Sequence, residues 1–346
     1  MGQPIDRAVV IPSSRMGVVV RVAASLLAIL VIVWAASKLD WRVVWSELTL
    51  ASASSMALMA AAWLVALMIR PLRLQILIRA LSPEVGRGYW ATWSASMIAS
   101  AINSLVPMRA GDVAMMLVLR QGLGVTTARA FSAVLVDRFF DFATVIVIFI
   151  MTLAAAPTVA PWAADLTMIL LIGLGVLVGG LLLLVKLRRF WQALLARALS
   201  ALAPKRSERW NSQAHDLFAG FSVVDRADTL VPILGLSVGI WGVIALSYWA
   251  GIDAVWSPVS FAAAAFAVSA VALSFVMPLA PGGLGIFHAA IVLALSLFAV
   301  PAEPALAFAI VAHAFQLGSV LVLAAVAVVF RRISVRSLAT SRQPSS

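Results

Sequence analysis

The feature that most constrains this chain is a series of long stretches without a formal charge. Leu48–Ile69, Gly88–Met108, Phe142–Ala164, Leu166–Val185, Leu230–Ile252, Ala254–Ala302 and Pro304–Phe330 contain no Asp, Glu, Lys or Arg. A bilayer crossing takes about 20 mostly apolar residues, and only closed hydrogen bonding is tolerated there. The expected fold is therefore all-α: a polytopic integral membrane protein of about eight or nine hydrophobic helices. Met16–Ser37 is expected to be an uncleaved first helix, since Trp34-Ala35-Ala36-Ser37 lacks a clear small-x-small cleavage site. With 63% hydrophobic and only 11% charged residues, the chain cannot cover a water-facing globular surface. A soluble enzyme is excluded on that ground.

The basic residues are unevenly placed. Arg70–Arg87 and Lys186–Arg226 are rich in Arg and Lys, and the tail carries Arg331, Arg332, Arg336 and Arg342 with no acid. The links Pro157–Ala164 and Gly251–Ser257 have none. The positive-inside bias puts the first three in the cytoplasm, with both termini, and makes the inner (plasma) membrane the expected location. The same bias explains the net charge of +11 without nucleic acid. With no cysteine, neither disulfides nor thiolate metal sites are open to it, and no metal or cofactor is expected.

Two apolar segments are broken in mid-course. Trp90–Leu119 is interrupted at Pro107-Met108-Arg109-Ala110-Gly111-Asp112, and Pro258–Val300 at Pro278–Gly285. The first begins and ends on the basic, inner side, the second on the outer side. They read as Pro/Gly-broken hairpins in inverted halves, a pattern that points to a transport site near the midplane. Ordinary helical hairpins with surface turns are the alternative. Between the halves, residues 186–228 hold two amphipathic patterns, one through Phe190, Trp191, Leu194 and Leu195, the other through Trp210, Ala214, Leu217 and Phe221. They fit interfacial helices on anionic lipid or helices packed on the protein's own inner face. Gly173, Gly175, Gly179 and Gly180 suggest close helix packing. Residues 1–14 and 337–346 read as disordered tails around a single transmembrane domain, 15–336.

Ionisable residues inside a bilayer are candidates for function. The densest group is Arg109, Asp112, Arg129, Asp137, Arg138 and Asp141. Asp137 and Asp141 share a helical face, so a cation must lie near them. Arg138 can supply it, as can Arg109 from the neighbouring hairpin. Asp112 follows a break, where it would cap the next helix. Arginine suits a phosphate because its planar fork donates two hydrogen bonds and stays charged. A groove with Arg109 and Arg138 would hold a head group, with Asp112, Asp137 and Asp141 setting the geometry. Arg70 and Arg73 would form a cytoplasmic entrance or act as positive-inside anchors. Asn103 precedes the first break. Gly282 and Gly283 lie in the second, and His288 follows it. His288 and His313 would carry protons or be hydrogen-bonded core residues.

These motifs resemble a bacterial flippase-like membrane family that includes the transmembrane region of lysylphosphatidylglycerol synthase. The resemblance rests on Asn103–Asp112, on Val136-Asp137-Arg138-Phe139-Phe140-Asp141, on Pro281-Gly282-Gly283-Leu284-Gly285 and on the Arg70/Arg73 pair. It covers roughly Arg21–Phe330. It departs at Ala114 and Met115, where the family usually has Arg, and at His288 and His313, where it commonly has Glu and Arg. No stretch is left for a soluble aminoacyl-transferase domain, so the resemblance is to stand-alone members.

The resemblance implies a lipid translocase, without a catalytic residue, that moves a polar or phosphorylated lipid across the bilayer. The expected partner is a membrane lipid. The alternatives are a lipid-modifying transferase and a lipid-binding subunit beside an enzyme of envelope-lipid synthesis, such as isoprenoid, hopanoid or lipid-linked sugar.

Overall fold

The computed structural model describes residues 41–85, 88–105, 110–157, 162–202, 207–275, 283 and 285–331. The expected first helix, both tails, Arg109 and Gly282 lie outside these residues. The described chain is all-α, with twelve helices. In chain order they are α1 Trp41–Leu50, α2 Ala53–Leu81, α3 Tyr89–Leu105, α4 Ala110–Leu123, α5 Thr127–Leu153 and α6 Trp162–Lys186. There follow α7 Arg188–Leu202, α8 Ser207–Phe221, α9 Ala227–Val255, α10 Phe261–Ser274, α11 Ile286–Ser296 and α12 Ala302–Arg331. A short 3₁₀ turn, Ser222–Asp225, joins α8 to α9. Helix starts follow local chemistry: the hydroxyls of Ser52, Thr126 and Ser260 accept the backbone N–H of Ser55, Arg129 and Ala263.

Among the described residues, α2, α6, α9 and α12 are long and apolar enough to cross a membrane. A helix of 29 residues such as α2 or α9 is about 43 Å long, more than the ~30 Å hydrocarbon layer. Two apolar cores lie along these long helices. One surrounds the hairpin α10/α11 and takes in Met59 and Ala66 of α2, Val145 and Phe149 of α5, Ile240 to Val255 of α9 and Ala305 to Ala312 of α12. The other surrounds the hairpin α3/α4 and takes in Leu67 to Ile78, Ala130 to Phe140, Ile233, and Val320 to Ala327 of the same four helices. Hence α2 and α12 run from the first core to the second, and α5 and α9 run back. The broken hairpins occupy opposite ends of one bundle, as their sequences predict.

The first hairpin is closed by a close backbone approach. A Cβ on Gly111 would stand 2.0 Å from the Ala99 carbonyl oxygen and 2.7 Å from the Asn103 side chain. Its N–H donates to Asn103 Oδ1 at 2.8 Å. At the second break Gly283 has φ of 66°, a left-handed conformation that glycine adopts at little cost.

The α6 glycines depart from expectation. A Cβ at Gly173, Gly175, Gly179 or Gly180 would meet nothing within 4 Å, so they pack against no neighbouring helix among the described residues. α6 is the least buried of the four long helices.

The α3/α4 contact gives a first prediction. Gly111→Val should destabilise the protein by about 1–3 kcal/mol, the usual range for overpacking. Thermal unfolding in detergent should show a lower midpoint, and an unchanged midpoint would contradict the close approach.

Candidate functional site

At the boundary between the two cores the apolar pattern of α2 is broken by Arg70 and Arg73. Arg73 has no exposed surface and is the largest fully buried side chain described. Its Nε donates to Asp137 Oδ1 at 2.8 Å, and its Nη1 to Ser237 Oγ at 3.0 Å. Its Nη2 reaches the Asp137 carbonyl at 3.2 Å and Asp141 Oδ1 at 2.7 Å. Trp241 Nε1 donates to the same Asp141 oxygen at 3.3 Å. One guanidinium thus joins α2, α5 and α9. Asp137 and Asp141 face it together because four residues make about one helical turn.

The other Asp141 oxygen accepts from two further arginines. Arg70 Nη2 and Arg138 Nη1 each lie 3.2 Å from Oδ2, and Arg70 also sits over the Trp241 ring at 5.9 Å. Arg138 Nη2 donates to Asp112 Oδ1 at 3.1 Å. Asn103 Nδ2 reaches that oxygen at 3.4 Å while its Oδ1 holds the Gly111 N–H. A continuous polar path therefore runs from the tip of the first hairpin to the buried Arg73. Its three arginines balance its three aspartates. The guanidiniums differ in access: the Arg73 side chain is 0% exposed, Arg138 24% and Arg70 30%.

Several sequence expectations are thereby refined. Arg138 is a cation partner of Asp141, as its spacing predicts, but Arg73 binds both carboxylates. Arg73 is neither an entrance nor a surface anchor, because it has no exposed surface and its donors go to two carboxylates, a hydroxyl and a backbone carbonyl. Asp112 sits within the first turn of α4, and its carboxylate goes to Arg138. Arg129 is not in the cluster: it pairs with Glu84 at 2.8 Å and Asp216 at 3.1 Å near the start of α5. Ser237 and Trp241 went unread in the sequence, where a hydroxyl and an indole in an apolar helix carry no distinctive signal.

Arg138 and Asp112 also line a cavity of about 550 Å³ between α4, α5 and α6. Its other walls are apolar and include Met116, Val134, Leu135, Phe139, Leu177 and Gly180. At its outer side Phe131, Leu135 and Val176 are exposed. The site pairs a charged floor with a long apolar wall.

The second hairpin brings its own polar pair together. The His288 and His313 rings lie 5.1 Å apart, and Phe287 stacks on His313 at 4.6 Å. Gly283 stands beside Phe275 at the same break.

The family profile described as the lysylphosphatidylglycerol synthase TM region matches residues 18–340, and the chain belongs to that family. No curated protein matches it.

Burial separates the arginines in stability. Removing one partner of a buried ion pair costs about 3–5 kcal/mol, and Arg73→Ala would strand the Asp137 carboxylate and take from Asp141 one of its three arginines. It should lower the unfolding midpoint in detergent far more than Arg138→Ala, whose site is part-exposed. Equal losses would contradict the separate roles.

Proposed function

We propose that this chain, on the premise of its family membership, moves a lipid with a phosphorylated head group across the bilayer. The observation that carries this reading is Arg138 at the charged floor of an apolar cavity. A phosphate fits that floor because a guanidinium has five donors, and Arg138 gives one each to Asp112 and Asp141 among the described residues. The acyl chains would lie along Val134, Leu135, Phe139 and Leu177 and remain in apolar surroundings.

Electrostatics shape the mechanism. In a low-dielectric interior an unpaired arginine is costly, and Asp112 is one of the carboxylates that hold Arg138. An arriving phosphate replaces that carboxylate, and Asp112 turns back to Asn103 at the hairpin tip. Head-group binding and hairpin position are then linked through one hydrogen-bonded path. Arg70, also part-exposed and sharing Asp141, is the second cation within reach of the path. Arg73 holds α2, α5 and α9 in place. The inverted hairpins suit access alternating between the two sides.

The transferase reading is less well supported. A general base needs a carboxylate free to take a proton, whereas Asp137 and Asp141 are each bound by Arg73. The inner membrane with both termini cytoplasmic is the setting we assign, from the basic loops.

Transport of a fluorescent phospholipid in reconstituted vesicles tests the proposal. Losing a charge-assisted hydrogen bond costs about 1.5–3 kcal/mol, so Arg138→Ala should slow transport about tenfold or more. Leu135→Trp should slow it by filling the cavity. Unchanged transport in Arg138→Ala removes the site assignment.

A further inference from the structure

The two amphipathic patterns between the halves fold into helices with different partners. α8 is docked on the protein. Asp216 accepts from Arg129 Nε at 3.1 Å and from the Thr126 hydroxyl at 2.8 Å, and the Ser132 hydroxyl donates to the Leu217 carbonyl at 2.8 Å. Phe218 and Phe221 enter the core around α3/α4.

α7 is placed differently. It follows the span α6 with no loop: Leu187 N–H donates to the Leu183 carbonyl at 2.9 Å, and Trp191 N–H to the Leu187 carbonyl at 3.0 Å. A helix that starts within one turn of a span's end must begin at the membrane face. One side of α7 packs inward through Trp191 and Leu195. The adjoining part of the same apolar face presents Leu187, Phe190 and Leu194, which are 42%, 57% and 48% exposed. They recur at i, i+3 and i+7, one stripe of a helix. Lys186, Arg188, Arg189 and Arg197, all exposed, border it. Arg188 pairs with Asp225 at 3.7 Å.

We propose that α7 lies in the plane of the membrane surface and binds anionic phospholipid head groups. Phe190 and Leu194 enter the boundary of the acyl region, and Lys186, Arg188 and Arg189 contact the phosphates. The occupant is lipid because the apolar stripe is continuous with a membrane span, and anionic lipid because the border is basic. Apolar insertion with a basic rim is how in-plane helices bind, and each cation near an anionic surface strengthens binding roughly fivefold. This inference needs only the α6 span and is independent of lipid transport.

The chain has no cysteine, so single nitroxide labels are clean. Full-length Phe190→Cys and Leu194→Cys, with Glu84→Cys as a solvent reference, would be labelled in nanodiscs. One set would hold phosphatidylcholine alone, the other phosphatidylcholine with phosphatidylglycerol. Accessibility to oxygen against a nickel chelate reports depth. Labels at 190 and 194 should favour oxygen, sit deeper with phosphatidylglycerol, and become shallower there in an Arg188→Gln/Arg189→Gln background. Labels as nickel-accessible as the one at 84 in both lipids would overturn the in-plane placement. Equal depth in both lipids, unmoved by the double substitution, would overturn the head-group contact.

Discussion

Everything at the centre of this fold depends on one buried guanidinium. Arg73 lies among apolar side chains with no exposed surface. A charge in that setting survives only if it is paired and its donors are satisfied. Two aspartates on one turn of α5, a serine of α9 and a backbone carbonyl meet that demand. Each partner is costly when left alone, so the three helices are held in one register. The two apolar cores meet where this network sits.

From that fixed point the polar path grows more accessible. Asp141 shares its second oxygen between Arg70 and Arg138, and Arg138 shares itself between Asp141 and Asp112. Asp112 belongs to the first broken hairpin, whose closure rests on Gly111 and Asn103. The path runs from a fully buried ion pair to a cavity wall, and from a rigid helix junction to a hairpin tip. Strength at one end and access at the other are what a site needs if it is to bind a charged group and still hold its shape.

Much of this was legible in the sequence. Charge-free runs placed the long helices, and Pro/Gly breaks placed both hairpins at opposite ends. Two aspartates one turn apart required a cation, and Arg138 was readable from its spacing. Arg73 was not, because its partners lie 64 and 68 residues away and an arginine at a helix end also fits a surface anchor. A signal was present in the flanking Leu74, Leu77 and Ile78, which set Arg73 among apolar residues. The amphipathic patterns of α7 and α8 looked alike because periodicity reports an apolar stripe and not what covers it. Asp216 and the hydroxyls of Thr126 and Ser132 decide that α8 packs on α5. His288 and His313 stand apart in sequence, and only the packing of α11 on α12 brings their rings together.

The central claim is that Arg138, held but not sealed, is the ligand for a lipid phosphate while Arg73 maintains the fold. Native mass spectrometry of gently solubilised wild-type protein and Arg138→Gln tests this most directly. The account predicts that the wild type retains a phospholipid and that the variant loses it with its unfolding midpoint nearly unchanged. A variant that keeps the same lipid at the same abundance would contradict it.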